Sequence, residues 1–230
     1  MQKKIKILIL NNQFLLRSAS FVSDIFYFLK NQKKIKGSGN KIIKSATTLL
    51  RGGQIKINGN NNCINLGERS RFRKVIFNIN GSNNTIKIAN NVMFYEEGYF
   101  LIEGNNCLIE IGELTTFGSA DIFTGESNTS IHIGKDCMFS RNIRMNTSDF
   151  HSIIDIETNK RINLPSNIII GNHVWVGNSV FINKGSIIGD NCVIAQKALV
   201  PGKTFENNSI LGGIPARTLK MHINWSREKL

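Results

Sequence analysis

The chain has 230 residues, 41% hydrophobic content, 20 Gly and 3 Pro, which allows a sizeable core and excludes a disordered or collagen-like chain. Its net charge of +13 points to an anionic partner, such as nucleic acid, a membrane surface, a phosphorylated cofactor or an acidic glycan. No zinc-finger spacing, ribonucleoprotein aromatic strand or helix-turn-helix pattern occurs, so no nucleic-acid partner is expected.

Residues 1–50 stand apart from the rest. Ile5 to Leu10 is apolar after a basic start, but Asn11, Asn12 and Gln13 interrupt it, so no secretory signal is expected. No run reaches the ~20 apolar residues that span a bilayer. Phe14, Phe21, Ile25, Phe28 and Leu29 recur near helical spacing, followed by Lys30, Lys33, Lys34 and Lys36. The first expectation is a helix that caps an open core. The second is that residues 14–36 lie on a membrane surface.

From Gln54 a loose repeat begins. Units open at 57–67, 79–89, 102–112 and 124–134, and the first three carry Gly-Asn-Asn or Gly-Ser-Asn-Asn stretches. An aliphatic residue before a small one anchors each unit: Leu66, Ile88, Ile111 and Ile133. From Ile133 the period tightens through Phe139 and Met145. It breaks over 147–167, a stretch of unlike composition with Asp149, His151, Asp155, Glu157, Lys160, Arg161 and Pro165. It resumes at Ile168 and becomes strict, with Ile170, Val176, Ile182, Ile188, Ile194 and Val200 six apart. A smaller side chain follows four positions on, at Val174, Val180, Ser186, Cys192 and Ala198.

A period of six fits neither a helix nor simple strand alternation. It fits a short flat strand and a tight corner, three of which close a triangular coil. Both marked residues point inward, and Gly, Asn or Asp sits where the chain bends. Coils then stack as parallel strands. The fold class is all-β, a parallel β-helix over 51–208 with an excursion loop at 147–167. Residues 1–50 form a capping segment. Residues 209–230 form an extension leaving the coil, with 221–230 a short helix or tail. Cys63, Cys107, Cys137 and Cys192 are read as inward-facing small apolar residues; no CxxC occurs, and a reducing cytoplasm is the natural setting.

His151 lies in the excursion, and Trp175 stands 24 positions later within Ile-Gly-Asn-His-Val-Trp-Val-Gly. Hexads follow, then Gly213-Ile-Pro-Ala-Arg217. Over roughly 133–220 this resembles the hexapeptide acyltransferases. Within them it is similar to the galactoside and maltose acetyltransferase group and to bacterial capsular O-acetyltransferases acting on polysialic acid. The resemblance implies a left-handed coil, a homotrimer with His151 and Trp175 facing each other across subunits, and transfer of acetyl from acetyl-CoA without a metal. It implies His151 as general base and Trp175 as a wall of the site. It implies Asn178, Gln196, Lys203, Arg217 and Lys220 as coenzyme contacts, those at Asn178 and Gln196 largely through backbone. Asp121 and Asp149 are the candidates for holding the acceptor.

The chain departs from the family pattern in places. Ala195-Gln196-Lys197-Ala198 replaces the usual Gly-Ala-Gly-Ser, and Pro201-Gly202 replaces Thr-Lys, with Lys203 just after. The family's acceptor-binding Asn has no clear match, and Asp121 is the nearest polar residue. His132 and His173 are expected on the outer face and His222 in the tail.

An imidazole with an ordinary pKa near 6.5 can deprotonate a hydroxyl as it attacks a thioester, and no Gly-x-Ser-x-Gly nucleophile turn is present. The expected acceptor is a sugar or polysaccharide hydroxyl of a bacterial capsule or O-antigen, or its precursor. The positive charge favours an anionic one. The expected location is the cytoplasm or the inner face of its membrane. The alternatives are an N-acetyltransferase of an amino-sugar nucleotide or antibiotic, a γ-type carbonic anhydrase needing three His around zinc, and a non-catalytic scaffold. The last would have lost the excursion and the His–Trp pair.

Overall fold

The computed structural model describes residues 33–229, with Asn12, Leu15, Arg17, Ser18 and Val22 further upstream. The expected capping or membrane-surface helix falls almost wholly outside the described residues.

Each coil visits three parallel sheets in turn. The first holds the strands Lys33–Lys36, Gln54–Asn58, Val75–Asn80, Gly98–Glu103, Ala120–Thr124, Ile143–Asn146, Phe181–Asn183 and Leu199–Val200. The second runs from Lys41–Lys44 to Thr204–Phe205 and the third from Leu49–Arg51 to Ile210–Gly213. The result is a left-handed parallel β-helix of about 8 turns. The anchors read from the sequence pair in one column, Leu66 with Ile88, Ile88 with Ile111, Ile111 with Ile133 and Ile133 with Ile170.

The core is a set of such inward columns. Upstream it is aromatic: Phe94 stacks on Phe117 at 4.3 Å and Phe117 on Phe139 at 4.5 Å. Downstream the same column continues as Val176, Ile194 and Leu211, all fully buried. Each such burial contributes roughly 1.5–3 kcal/mol. The corners take left-handed backbone. Asn61, Asn83, Asn106 and Asn128 have φ of 55°, 59°, 58° and 61°, a conformation that Asn tolerates better than most residues.

Three features differ from the sequence expectation. The coil begins at Lys33, not at residue 51, since Lys33–Lys36, Lys41–Lys44 and Leu49–Arg51 pair with the strands after them. Lys33 and Lys44 stand where the next coil carries Ile55 and Leu66, so the repeat is hidden. At the other end, Ile210–Gly213 remains in the third sheet, and Ala216–Lys220 turns back antiparallel beside it. Residues 221–229 form an irregular strap in place of the expected helix or tail. Finally, Cys63 is only partly buried, unlike the other three cysteines. It pairs with Thr85 and lies one residue before the inward Ile64, and a shift of one in a strand reverses the face. Burial pushes the Cys137 thiol up to about 12, as expected of an inert packing residue.

Candidate active site

The excursion leaves the corner between the first and second sheets, after Ile143–Asn146 and before Ile168–Ile170. Its neck is closed by Ser166 N donating to Thr147 O at 3.0 Å. Beyond the neck it doubles back as a hairpin, with an antiparallel bridge between Ile154 and Arg161.

His151 is set at the base of this hairpin. Phe150, with φ of 62°, lays its ring against Gly125; a Cβ there would come within 2.7 Å of that ring. Phe150 N donates to Ser148 Oγ at 2.9 Å, and Ser148 Oγ donates in turn to Glu126. Glu126 receives both terminal nitrogens of Arg161, each at 2.6 Å. That fork holds the Glu126 carboxyl down at about 2. Asn163, buried, ties the remaining ends together. Its Nδ2 donates to His151 O and to Asp149 Oδ2, both at 2.8 Å, while its Oδ1 accepts from Ile153 N at 2.7 Å. The backbone of His151 is therefore pinned. Its imidazole is exposed and makes no hydrogen bond among the described residues.

Asp149 is engaged on its own side of the corner. Lys184 Nζ donates to it at 2.6 Å and, with Asn163, holds its carboxyl below the usual range. Asp121 lies elsewhere, on the outer face of the first sheet. There it lines a cleft of ≈ 420 Å³ with Lys74, Glu97, Tyr99, Arg144 and Phe181. Burial raises its pKa, against the pull of Arg144 at 3.9 Å.

Trp175 stands on the outer face of the third sheet, 40% exposed, as its alternation with Val174 and Val176 predicts. Next to it, Gly177, Ala195 and Gly212 succeed one another from coil to coil at the ends of the third-sheet strands, with Leu219 of the antiparallel return packed over Gly212. Asn178 and Gln196 share that corner, where Lys197 N donates to Asn178 O at 2.8 Å. Arg217 lies opposite Gly212, and Lys220 opposite Ile210, in the antiparallel return, both exposed. Lys203 is not with them. It follows the first-sheet strand Leu199–Val200, at the corner that carries the excursion, with Nζ 5.2 Å above the Phe205 ring.

The candidate residues thus form two groups on one chain, His151, Asp149 and Lys203 at one corner, and Trp175, Asn178, Gln196, Arg217 and Lys220 on the third sheet and its far edge. Sequence reading missed Glu126, Ser148, Asn163 and Lys184. Only Glu126 left a trace: it stands where Gly104 stands one coil earlier, in the corner that otherwise repeats Gly. It also treated His173 as a bare surface residue, whereas His173 holds the C-terminal strap. Among the described residues no three His, Cys, Asp or Glu side chains converge as metal ligands, and no helix is long and apolar enough to cross a membrane.

A parallel coil built on hexads is the architecture of a class of bacterial transferases. The family model for the bacterial transferase hexapeptide (six repeats) matches residues 167–202. The structure is similar to that of the polysialic acid O-acetyltransferase OatWY, with 31% identity, a TM-score of 0.78, and 86% of this chain and 92% of that chain covered. It is also similar to the polySia-specific acetyltransferase NeuO, with 30% identity, a TM-score of 0.73, and coverage of 85% and 88%. No curated protein sequence matches the chain. At that identity over nearly the full length, the chain belongs to the hexapeptide-repeat acyltransferases.

Proposed function

We propose that the protein transfers acetyl from acetyl-CoA to a hydroxyl of an anionic bacterial surface glycan or its precursor. The likeness to two polysialic acid O-acetyltransferases over most of both chains carries this reading. The charge distribution supports it. Glu68 is the only acid between residues 33 and 87, a stretch whose exposed cations include Lys34, Lys36, Arg51, Lys56, Arg73 and Lys74. A basic end of this kind attracts a polyanion.

In this reading His151 takes the proton from the acceptor hydroxyl as that oxygen attacks the thioester carbonyl carbon. The carbon–sulfur bond breaks, and His151 returns the proton to the departing thiolate. The products are an acetyl ester and a free thiol. Arg217 and Lys220, exposed on the antiparallel return beside the third sheet, suit phosphates.

One chain carries the two halves of this site on different parts of the coil, so the reading requires a homotrimer in which the excursion of one subunit meets Trp175 of the next. The excursion supports this. Ile153, Ile154, Ile156, Ile162 and Leu164 are 47–96% exposed, an apolar cluster suited to an interface.

Thiol release from acetyl-CoA, measured against anionic glycans, neutral glycans and amino-sugar acceptors, tests the proposal. Turnover with the anionic glycan and ester formation support it; turnover with amines alone overturns it. Arg217→Ala is expected to raise the KM for acetyl-CoA roughly tenfold with kcat unchanged, the loss of one charge-assisted contact. An unaltered KM would place the phosphates elsewhere.

A further inference from the structure

The C-terminal strap 221–229 is tied down more closely than a tail requires. Ile223 N donates to Asn208 O at 3.0 Å, and Asn208 Nδ2 donates back to Ile223 O at 3.0 Å. Trp225, 9% exposed, lies flat on the His173 ring, with centroids 4.2 Å apart and planes within 10°. Its Nε1 donates to His173 O at 2.7 Å, and its own carbonyl oxygen is 3.0 Å from His173 Nε2. The other ring nitrogen of His173 is 2.8 Å from Asp136 Oδ2. Arg227 closes the circuit. Its Nε donates to Asp136 Oδ1 at 3.0 Å, and its Nη2 to Cys137 O at 3.0 Å.

The outcome of this circuit is the placement of one ring. Trp225 stands 6.0 Å from Trp175, tilted by 46°. Trp175 begins a strand of two residues on an outer face, between Met138 and Val193 of the neighbouring coils. Trp225 supplies a wall on one side of it, and the His173–Asp136–Arg227 circuit holds that wall to the coil.

We propose that Trp225 is a positioning residue for acyl transfer, and that His173, Asp136 and Arg227 latch the strap so that Trp175 keeps one orientation in the site. The proposal rests on the reading of Trp175 as a wall of that site.

The chain has two Trp, so circular dichroism reads their pairing directly. Indoles this close give a bisignate exciton signal in the far ultraviolet, and Trp225→Phe or Trp175→Phe should each abolish it. Trp225→Ala should lower kcat about tenfold, as slight misplacement of an active-site group does, with the KM for acetyl-CoA unchanged. Trp225→Phe, which keeps a flat ring on His173, should restore most of the rate. Arg227→Ala frees the strap without touching the core. It should weaken the exciton signal and lower kcat, and it carries the test if Trp225→Ala does not fold.

A strap that only adds stability would lower the melting temperature and leave kcat per folded molecule unaltered in both variants, and that result overturns the proposal. Trp175→Ala tells the two ideas apart. If it cripples transfer while Trp225→Ala and Arg227→Ala do not, the latch fails and the site stands. If Trp175→Ala leaves kcat/KM unaltered, both fail.

Discussion

His151→Ala is expected to lower acetyl transfer by about 10²–10⁴-fold, the usual contribution of a placed general base. The fold should be untouched. The imidazole is exposed, and the contact that holds this residue is its backbone oxygen, which Ala retains. Binding of acetyl-CoA, measured by calorimetry, should also persist, because the expected coenzyme contacts sit mostly on the third sheet and its edge. The pair of measurements is decisive. Retained turnover removes His151 from the chemistry, and lost coenzyme binding would assign it to the donor site.

Glu126→Ala should be the next most damaging change. Arg161 would lose a bidentate partner while still only 24% exposed in its side chain, and Ser148 would lose the acceptor that orients it toward Phe150 N. The excursion would then be held by its neck, by Lys184 on Asp149 and Asn163 O, and by Phe150 against Gly125. We expect kcat to fall about 10–100-fold, since a catalytic group displaced by an ångström loses rates of that order. The coil should still unfold cooperatively, and limited proteolysis should begin to cut within 153–162. Arg161→Ala combined with Glu126→Ala should do less harm than the two single effects added, because the double variant leaves no lone charge. Equal, additive losses would mean the pair does not act as a unit.

The acid behaviour of the same pair has a defined sign. The Glu126 carboxyl is lowered from its ordinary 4.5 to about 2. A lowered carboxylate adds stability that is fully present above the ordinary value and fades as pH falls toward the lowered one. The protease-resistant state of the excursion should therefore persist to pH values well under 4.5 in the parent protein. Glu126→Gln should lack that acid-range dependence.

The period of six from Ile170 to Val200 carries almost everything about the downstream coil, because each strand and corner is specified within its own hexad. Trp175 could be placed on the outer face, and Val174 and Val176 inside, from alternation alone. His151 was singled out by the resemblance to the hexapeptide acyltransferases, which gave its spacing to Trp175 a meaning. The end coil at Lys33–Arg51 was not legible, since Lys33 and Lys44 occupy positions that the next coil fills with Ile55 and Leu66. Nor was the face of Cys63, which turns on one residue of corner geometry.

Local pattern determined the stacked triangular coil, its inward columns and the break at 147–167, and resemblance to a known family added the candidates His151 and Trp175. Tertiary structure alone decided which polar groups meet. Glu126 finds Arg161 across 35 positions, His173 finds Trp225 across 52, and Asp136 finds Arg227 across 91. The physical reason is that a repeat encodes the direction a side chain points from its own coil. Which groups an irregular segment meets depends on where that segment folds back over the stack, and no period in the sequence records that.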